Sequence, residues 1–207
     1  MTTPVFSNFK KKGSYTLTFD VANCDSSFVN SIRRTIITDV VTLGFNTDDY
    51  ENSDLKIFEN TCALHNEFIL HRMGLIPIHT ENVEIFDTSK YKFILDIQNK
   101  TDDIIDVTTK DIKIINLETN LELDNELFFP KNTISNDYIL ITRLKPTADG
   151  EGERLHLEGK CSKGTGKEHI RFSPVCKSLF INKRDPEKVT KELEKYLKSK
   201  GELTPEK

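Results

Sequence analysis

Residues 28–40 read Phe28-Val29-Asn30-Ser31-Ile32-Arg33-Arg34-Thr35-Ile36-Ile37-Thr38-Asp39-Val40. Phe28, Ile32 and Ile36 recur every fourth residue, and with Val29 and Val40 they fall on one face of a helix. Arg33 and Arg34 flank that face. Asp25, Ser26 and Ser27 stand just ahead, residue types whose side-chain oxygens accept from the free amides of a first helical turn. The spacing predicts a helix over 26–40 with a single apolar stripe.

Working outward, residues 15–21 (Tyr-Thr-Leu-Thr-Phe-Asp-Val) alternate apolar and polar, as a half-buried strand does. From Asp39 to Glu59 the chain turns acidic around Asn46 and Asn52 and reads as an irregular loop. A second helix follows, with Leu64, Phe68, Ile69 and Met73 as its stripe, Gly74 as a left-handed stop and Pro77 where no helix resumes. Residues 91–97, 104–107, 112–117 and 138–144 are short runs rich in Ile, Leu, Phe and Tyr between polar turns, the pattern of an antiparallel sheet. A last helix starts at Asp185-Pro186, carries Val189, Leu193, Tyr196 and Leu197 on one face, and ends before Gly201. Leu203-Thr204-Pro205-Glu206 again reads as a helix start, so the tail is either a disordered remnant or the head of a continuing polypeptide.

The 207 residues include 29 basic and 33 acidic side chains, a net charge of −4. That balance argues against sequence-independent nucleic-acid binding, which needs an excess of Lys and Arg facing phosphates. The charge is unevenly spread. Residues 101–126 carry Asp102, Asp103, Asp106, Asp111, Glu118, Glu122, Asp124 and Glu126 against Lys110 and Lys113, whereas residues 160–184 hold seven basic side chains and one acid, Glu168. Such segments serve an assembly surface, pair with each other, or form solvated faces. No window approaches ~18 apolar residues and no secretion signal opens the chain, so an intracellular protein is expected. Cys24, Cys62, Cys161 and Cys176 are far apart and read as reduced structural thiols.

The residues alone suggest three kinds of chemistry, each with a missing part. Gly164-Thr165-Gly166-Lys167 lacks the upstream Gly and the following Ser or Thr of a phosphate loop. Cys62, His65, His71 and His79 could ligate a metal, but a separation of six places His65 and His71 on opposite sides of a helix. Ser173 with His169 could make a hydrolytic nucleophile and base, without the strained elbow or orienting acid that such a pair uses.

Three segments carry a more specific signal. Residues 28–40 resemble the first helix of the α-like subunits of multisubunit RNA polymerases. His65-Asn66-Glu67-Phe68-Ile69-Leu70-His71-Arg72-Met73-Gly74-Leu75-Ile76-Pro77-Ile78 resembles their helix-and-stop signature. Lys163-Gly164-Thr165-Gly166-Lys167-Glu168-His169-Ile170-Arg171-Phe172-Ser173-Pro174-Val175 resembles the block that closes their insert domain. Order and spacing agree over nearly the whole chain. The nearest types are the third-largest subunit of eukaryotic RNA polymerase II and its archaeal counterpart, then the subunit shared by polymerases I and III.

The resemblance implies an α+β fold: a discontinuous dimerisation domain of a sheet plus two helices (1–45 and 172–207), interrupted by an inserted β-rich domain (46–171). It implies that 15–21 and 175–181 share a sheet, with helices 26–40 and 186–200 packed together on it. It implies a noncatalytic platform subunit of DNA-directed RNA polymerase that pairs with a smaller α-like subunit and docks the second-largest subunit and small assembly subunits, with no direct nucleic-acid or membrane contact. Phe28, Val29, Ile32, Ile36, Val189, Leu193 and Leu197 are its candidate dimer contacts. Arg33, Arg34, His71, Arg72, Lys167, Glu168 and His169 match motif positions that either contact the larger subunits or stabilise the fold. No catalytic residue, metal or cofactor is expected, since the zinc or iron–sulfur cysteines of some relatives have no counterpart here. Val41 replaces a customary Pro. The short chain allows C-terminal fusion to the smaller module, as in polymerases of large DNA viruses. Localisation would be nuclear in a cellular eukaryote and in a viral factory or virion otherwise. A hydrolase using His169 and Ser173, and a decoy that sequesters the polymerase partner, are the competing functions.

Overall fold

The computed structural model describes residues 3–13, 15–147 and 151–200. Its elements run β1 (Val5–Lys12), β2 (Thr16–Ala22), α1 (Ser26–Thr38), β3 (Val41–Gly44), β4 (Leu55–Asn60), α2 (Asn66–Gly74), β5 (Tyr91–Gln98), β6 (Ile105–Thr108), β7 (Lys113–Asn116), β8 (Leu121–Leu123), β9 (Leu140–Leu144), β10 (Arg154–Gly159), β11 (Ser162–Thr165) and α3 (Pro186–Lys200). The chain is α+β and divides into two compact units, Met1–Arg33 with Lys177–Lys207, and Arg34–Cys176. The helix start expected at 203–206 and the stop at Gly201 lie outside the described residues.

In the first unit, β1 and β2 form an antiparallel hairpin, from Val5 opposite Ala22 to Lys12 opposite Thr16. Its register shifts between Ser7 and Lys10, where Asn8 takes φ 54°. Asn and Gly tolerate that left-handed conformation best, so the extra residue is accommodated as a bulge. Phe19 packs against Phe9 at 5.4 Å and Phe6 at 6.0 Å between ring centroids. The expected sheet of 15–21 with 175–181 is corrected here. β2 pairs with β1, and 175–181 contains no strand. A partner reached across a tight turn costs far less chain entropy than one roughly 150 residues away.

Asp25 caps α1 as expected. Its carbonyl accepts from Phe28 and Val29, and its carboxylate accepts from the hydroxyls of Ser27 at 3.0 Å and Ser26 at 3.3 Å; the bonds from Ser27, then Ser26, hold the carboxylate pKa below its usual value. Neither α1 nor α3 contains a buried residue. The expected packing of helix 186–200 against helix 26–40 therefore buries no side chain among the described residues: of the stripe of α3 only Leu197 is half-buried.

The second unit holds the core. Its main sheet is antiparallel in the order β4-β10-β5-β7-β8, accompanied by the pairs β3–β11 and β6–β9. Phe93, Leu95, Ile114, Leu155 and Leu157 are buried on one face, where α2 contributes Ile69, Leu70 and Met73. The expected loop from 39 to 59 shrinks, because its ends become β3 and β4. Two further details of α2 differ from expectation. Phe68 is 65% exposed rather than part of the stripe. Gly74 ends the helix without a left-handed residue, since the cap at Leu75 has φ −93°. Gly74 is needed instead for close approach, because a Cβ there would overlap Thr47 Oγ1 and the Arg171 guanidinium.

Candidate functional site

The three signature segments acquire physical reasons once their contacts are known. In the second unit β11 lies antiparallel to β3, with Gly164 opposite Thr42. The ring of Phe172 is buried over Gly44 and Gly164; a Cβ on Gly164 would come within 2.6 Å of that ring. A Cβ on Gly166 would collide with the Ile37 carbonyl in the last turn of α1, and the Lys167 amide donates to the Thr38 carbonyl at 2.9 Å. The glycine-rich run is thus a packing surface for one aromatic ring and one helix end.

Arg171 is the hub of this region. Its side chain is only 4% exposed. Nη1 donates to the Phe45 carbonyl at 2.8 Å and Thr47 Oγ1 at 3.0 Å, Nε donates to His169 Nδ1 at 3.0 Å, and Nη2 pairs with Asp48. His169 Nδ1 also accepts the Arg171 amide at 3.1 Å. His169 Nε2 lies 3.4 Å from Arg171 Nη2 and 3.7 Å from an Asp48 carboxylate oxygen. Ser173 Oγ donates to the Val175 carbonyl at 2.9 Å, and no hydrogen bond joins it to His169 among the described residues. His169 Nδ1 and the Ser173 hydroxyl are each committed to the fold, and with no hydrogen bond between the two side chains a hydrolytic pair has no geometric basis here.

The other motif charges divide into two groups. Glu168 accepts the Thr165 amide at 3.1 Å, Arg72 Nη2 donates to the Leu140 carbonyl at 2.9 Å, and Arg33 Nε donates to Asn30 Oδ1 at 3.0 Å. The side chains of Arg34, His71 and Lys167 are exposed and make no hydrogen bond or ion pair among the described residues. Sequence reasoning misses Arg171, Asp48 and Phe172 as key residues. Arg171 and Phe172 sit inside the quoted block, but nothing local marks a guanidinium that will be buried by a segment 126 residues away.

The dimer-contact candidates lie on α1 and α3. Phe28 is 42%, Val189 49% and Leu193 54% exposed, while Val29, Ile32, Ile36 and Leu197 are half-buried. No described residue of the first unit is buried. The acidic and basic segments do not pair with each other: Asp106 meets Arg143, Glu118 meets Lys90 and Glu126 meets Lys131, whereas Arg171 meets Asp48 and Lys183 meets Asp20. Cys62 accepts from Thr142 at 3.8 Å, His65 caps α2, and among the described residues no group of three or more His, Cys, Asp or Glu is arranged to hold a metal ion. Burial pushes the Cys161 thiol up to about 12. No helix of the described residues is long and apolar enough to cross a membrane.

Residues 18–207 match the family described as the RNA polymerase Rpb3/Rpb11 dimerisation domain. Similar proteins include a conjugation stage-specific protein of Tetrahymena thermophila, 29% identical over 184 residues (78% of this chain, 54% of the relative). The human DNA-directed RNA polymerases I and III subunit RPAC1 is 28% identical over 186 residues (79% and 50%). The DNA-directed RNA polymerase II subunit rpb3 of Dictyostelium discoideum is 27% identical over 174 residues (78% and 52%). The chain thus spans about half the length of the curated relatives it matches.

Proposed function

Since the chain belongs to the family of the RNA polymerase Rpb3/Rpb11 dimerisation domain, we propose that it is a noncatalytic assembly-platform subunit of a DNA-directed RNA polymerase. It heterodimerises with a smaller α-like subunit through Phe28, Val29, Ile32 and Ile36 of α1 and Val189, Leu193 and Leu197 of α3. The observation that carries this reading is the first unit itself. It has apolar stripes on two helices and an aromatic cluster on its hairpin, yet none of its described residues is buried. Apolar surface of that extent is the ordinary mark of a binding face.

In this proposal the dimerisation domain comprises 1–45 and 172–207, and 46–171 is the insert. The recruitment of both chain ends into one compact unit supports the discontinuity. With these bounds β3 stands on the dimerisation side and pairs with β11 of the insert, so the two domains share a strand pair at their junction. The second-largest subunit and small assembly subunits dock through the exposed motif side chains Arg34, His71 and Lys167. Arg72, Glu168 and His169 act by holding the local backbone, and Arg33 by holding the Asn30 side chain one turn earlier on α1. Nucleotidyl transfer belongs to other subunits, and the protein acts wherever that polymerase transcribes.

The test is affinity purification of the tagged chain from its own cells. Recovery at unit stoichiometry with an α-like partner and an active polymerase is expected. Recovery with the α-like partner alone, free of the large subunits, would indicate the sequestering decoy, and recovery with neither would overturn the proposal.

A further inference from the structure

A groove of about 360 Å³ runs across the face of the main sheet opposite the core. Phe58 on β4 is 62% exposed in it and Leu117, just after β7, is 44% exposed. The Phe58 ring is stacked on His156 of β10, with centroids 5.2 Å apart and planes 29° apart, which fixes an aromatic surface toward solvent. Phe58 faces outward by alternation with Leu55 and Ile57, which join the core, and the β4–β10 register shift between His156 and Leu157 leaves it without an opposite residue. A large apolar ring held exposed beside a bulge is a feature that binding faces use.

The charges around the groove favour one class of occupant. Its two carboxylates are already engaged. Glu158 pairs with Lys92 at 2.6 Å, and Asp54 accepts the Asn46 amide at 2.7 Å and the Ser162 hydroxyl at 2.8 Å. Lys56 and Lys160, which also line the groove, form no ion pair among the described residues. The groove therefore carries three cations against two carboxylates, a net +1, and Lys56 and Lys160 stand without an ion pair among the described residues beside two exposed apolar side chains.

We propose that this groove docks a short, extended acidic segment of a partner protein, one that presents a bulky apolar side chain between carboxylates. The apolar side chain lies against Phe58 and Leu117, and the carboxylates meet Lys56 and Lys160. A long nucleic acid fits less well. The second unit carries 16 basic and 25 acidic side chains, a net −9, so phosphates extending past the groove would meet a repelling field. A short segment whose few carboxylates flank one apolar side chain keeps its charges beside Lys56 and Lys160, within the screening length of about 8 Å at physiological salt. The proposal is independent of the polymerase reading, because its test contains no polymerase subunit.

The experiment uses the full chain and fluorescein-labelled eight-residue peptides with Phe or Leu flanked by Glu, read by fluorescence anisotropy. Controls are the same peptide with the apolar residue changed to Ser, a Lys-flanked peptide, and a single-stranded oligonucleotide of eight nucleotides. Saturable binding of the acidic apolar peptide is expected. The double variant Lys56→Glu, Lys160→Glu should weaken it ~10-fold or more, as removal of close opposite charges does at interfaces. Phe58→Ser should weaken it ~5-fold, in the range of a lost aromatic anchor. Both changes are at exposed positions, and circular dichroism of each variant checks that the fold is kept. Absence of binding, equal binding by the folded charge-reversed variant, or preference for the oligonucleotide would overturn the proposal.

Discussion

The two units of this chain spend their apolar residues in opposite ways. In the second unit, Phe45, Phe93, Leu95, Ile114, Ile141 and Leu155 are buried around one another, and Phe93 meets Phe45, Phe128 and Phe129 edge-on at 5.2 to 6.1 Å. In the first, Phe6, Phe9, Leu17, Phe28, Val189, Leu193 and Tyr196 remain exposed on a hairpin and two amphipathic helices. The same residue types thus provide a self-sufficient core in one place and an unfinished surface in the other. What distinguishes them is connectivity. Strands that find antiparallel neighbours on both sides can close over a helix, whereas a single hairpin with two helices has too few layers to bury its own apolar faces.

The sharpest way to break this comparison is Ile32→Asp on α1. It should abolish capture of an α-like partner in co-expression pull-downs while leaving the unfolding transition of the second unit unchanged. Loss of that transition instead would mean that the α1 stripe serves this chain's own core.

Next in size is Arg171→Ala. Removing a nearly buried guanidinium leaves the Phe45 carbonyl and His169 Nδ1 without their donor, so a loss of about 3 kcal/mol is expected in urea unfolding of the second unit. Asp48→Asn should cost under about 1 kcal/mol, because that end of the pair is solvated. Equal effects from the two variants would remove Arg171 from its place as the hub.

A smaller effect separates the units by pH. The Cys161 thiol is raised from its ordinary 9.0 to about 12 by burial, so the folded state keeps a proton that the unfolded chain releases. Stability from this source is complete below the unfolded value and declines as pH rises from about 9 toward about 12. Urea midpoints of the wild type should fall over that interval more steeply than those of Cys161→Ala, and exposed Cys176 should react with thiol reagents first. Matching slopes would show that burial of Cys161 is incomplete. Smallest of all, Asp102→Asn, an exposed change in the second unit, should leave partner capture and stability within error; a measurable loss of capture would extend the interface into the acidic segment.

Much of the local structure is legible in residue order. Asp25 at the start of α1, the stripe of Ile69 and Met73 in α2, Asp185-Pro186 before α3 and the strand runs at 91–97 and 112–117 all follow from patterns a few residues long. β1 is not legible, because the bulge at Asn8 interrupts its alternation and Lys10-Lys11-Lys12 hides the strand. The strand expected at 175–181 rests on apolar content that, in this chain, has no ladder to join. Residue order does not separate the roles of Arg33 and Arg34, and the structure divides them: Arg33 is tied to Asn30 while the Arg34 side chain is free among the described residues.

Sequence by itself determined the helices, the N-terminal caps at Asp25 and Asp185, most of the apolar stripes, and the three signature segments that carry the family resemblance, because each depends on interactions within a few turns or on residue identity at fixed spacing. Only tertiary structure decided why Gly74, Gly164 and Gly166 must be glycine, why Arg171 lies buried, and which apolar faces close and which stay open. Those outcomes depend on backbones and rings brought together from segments far apart in the chain, and no local pattern encodes the distance at which they finally meet.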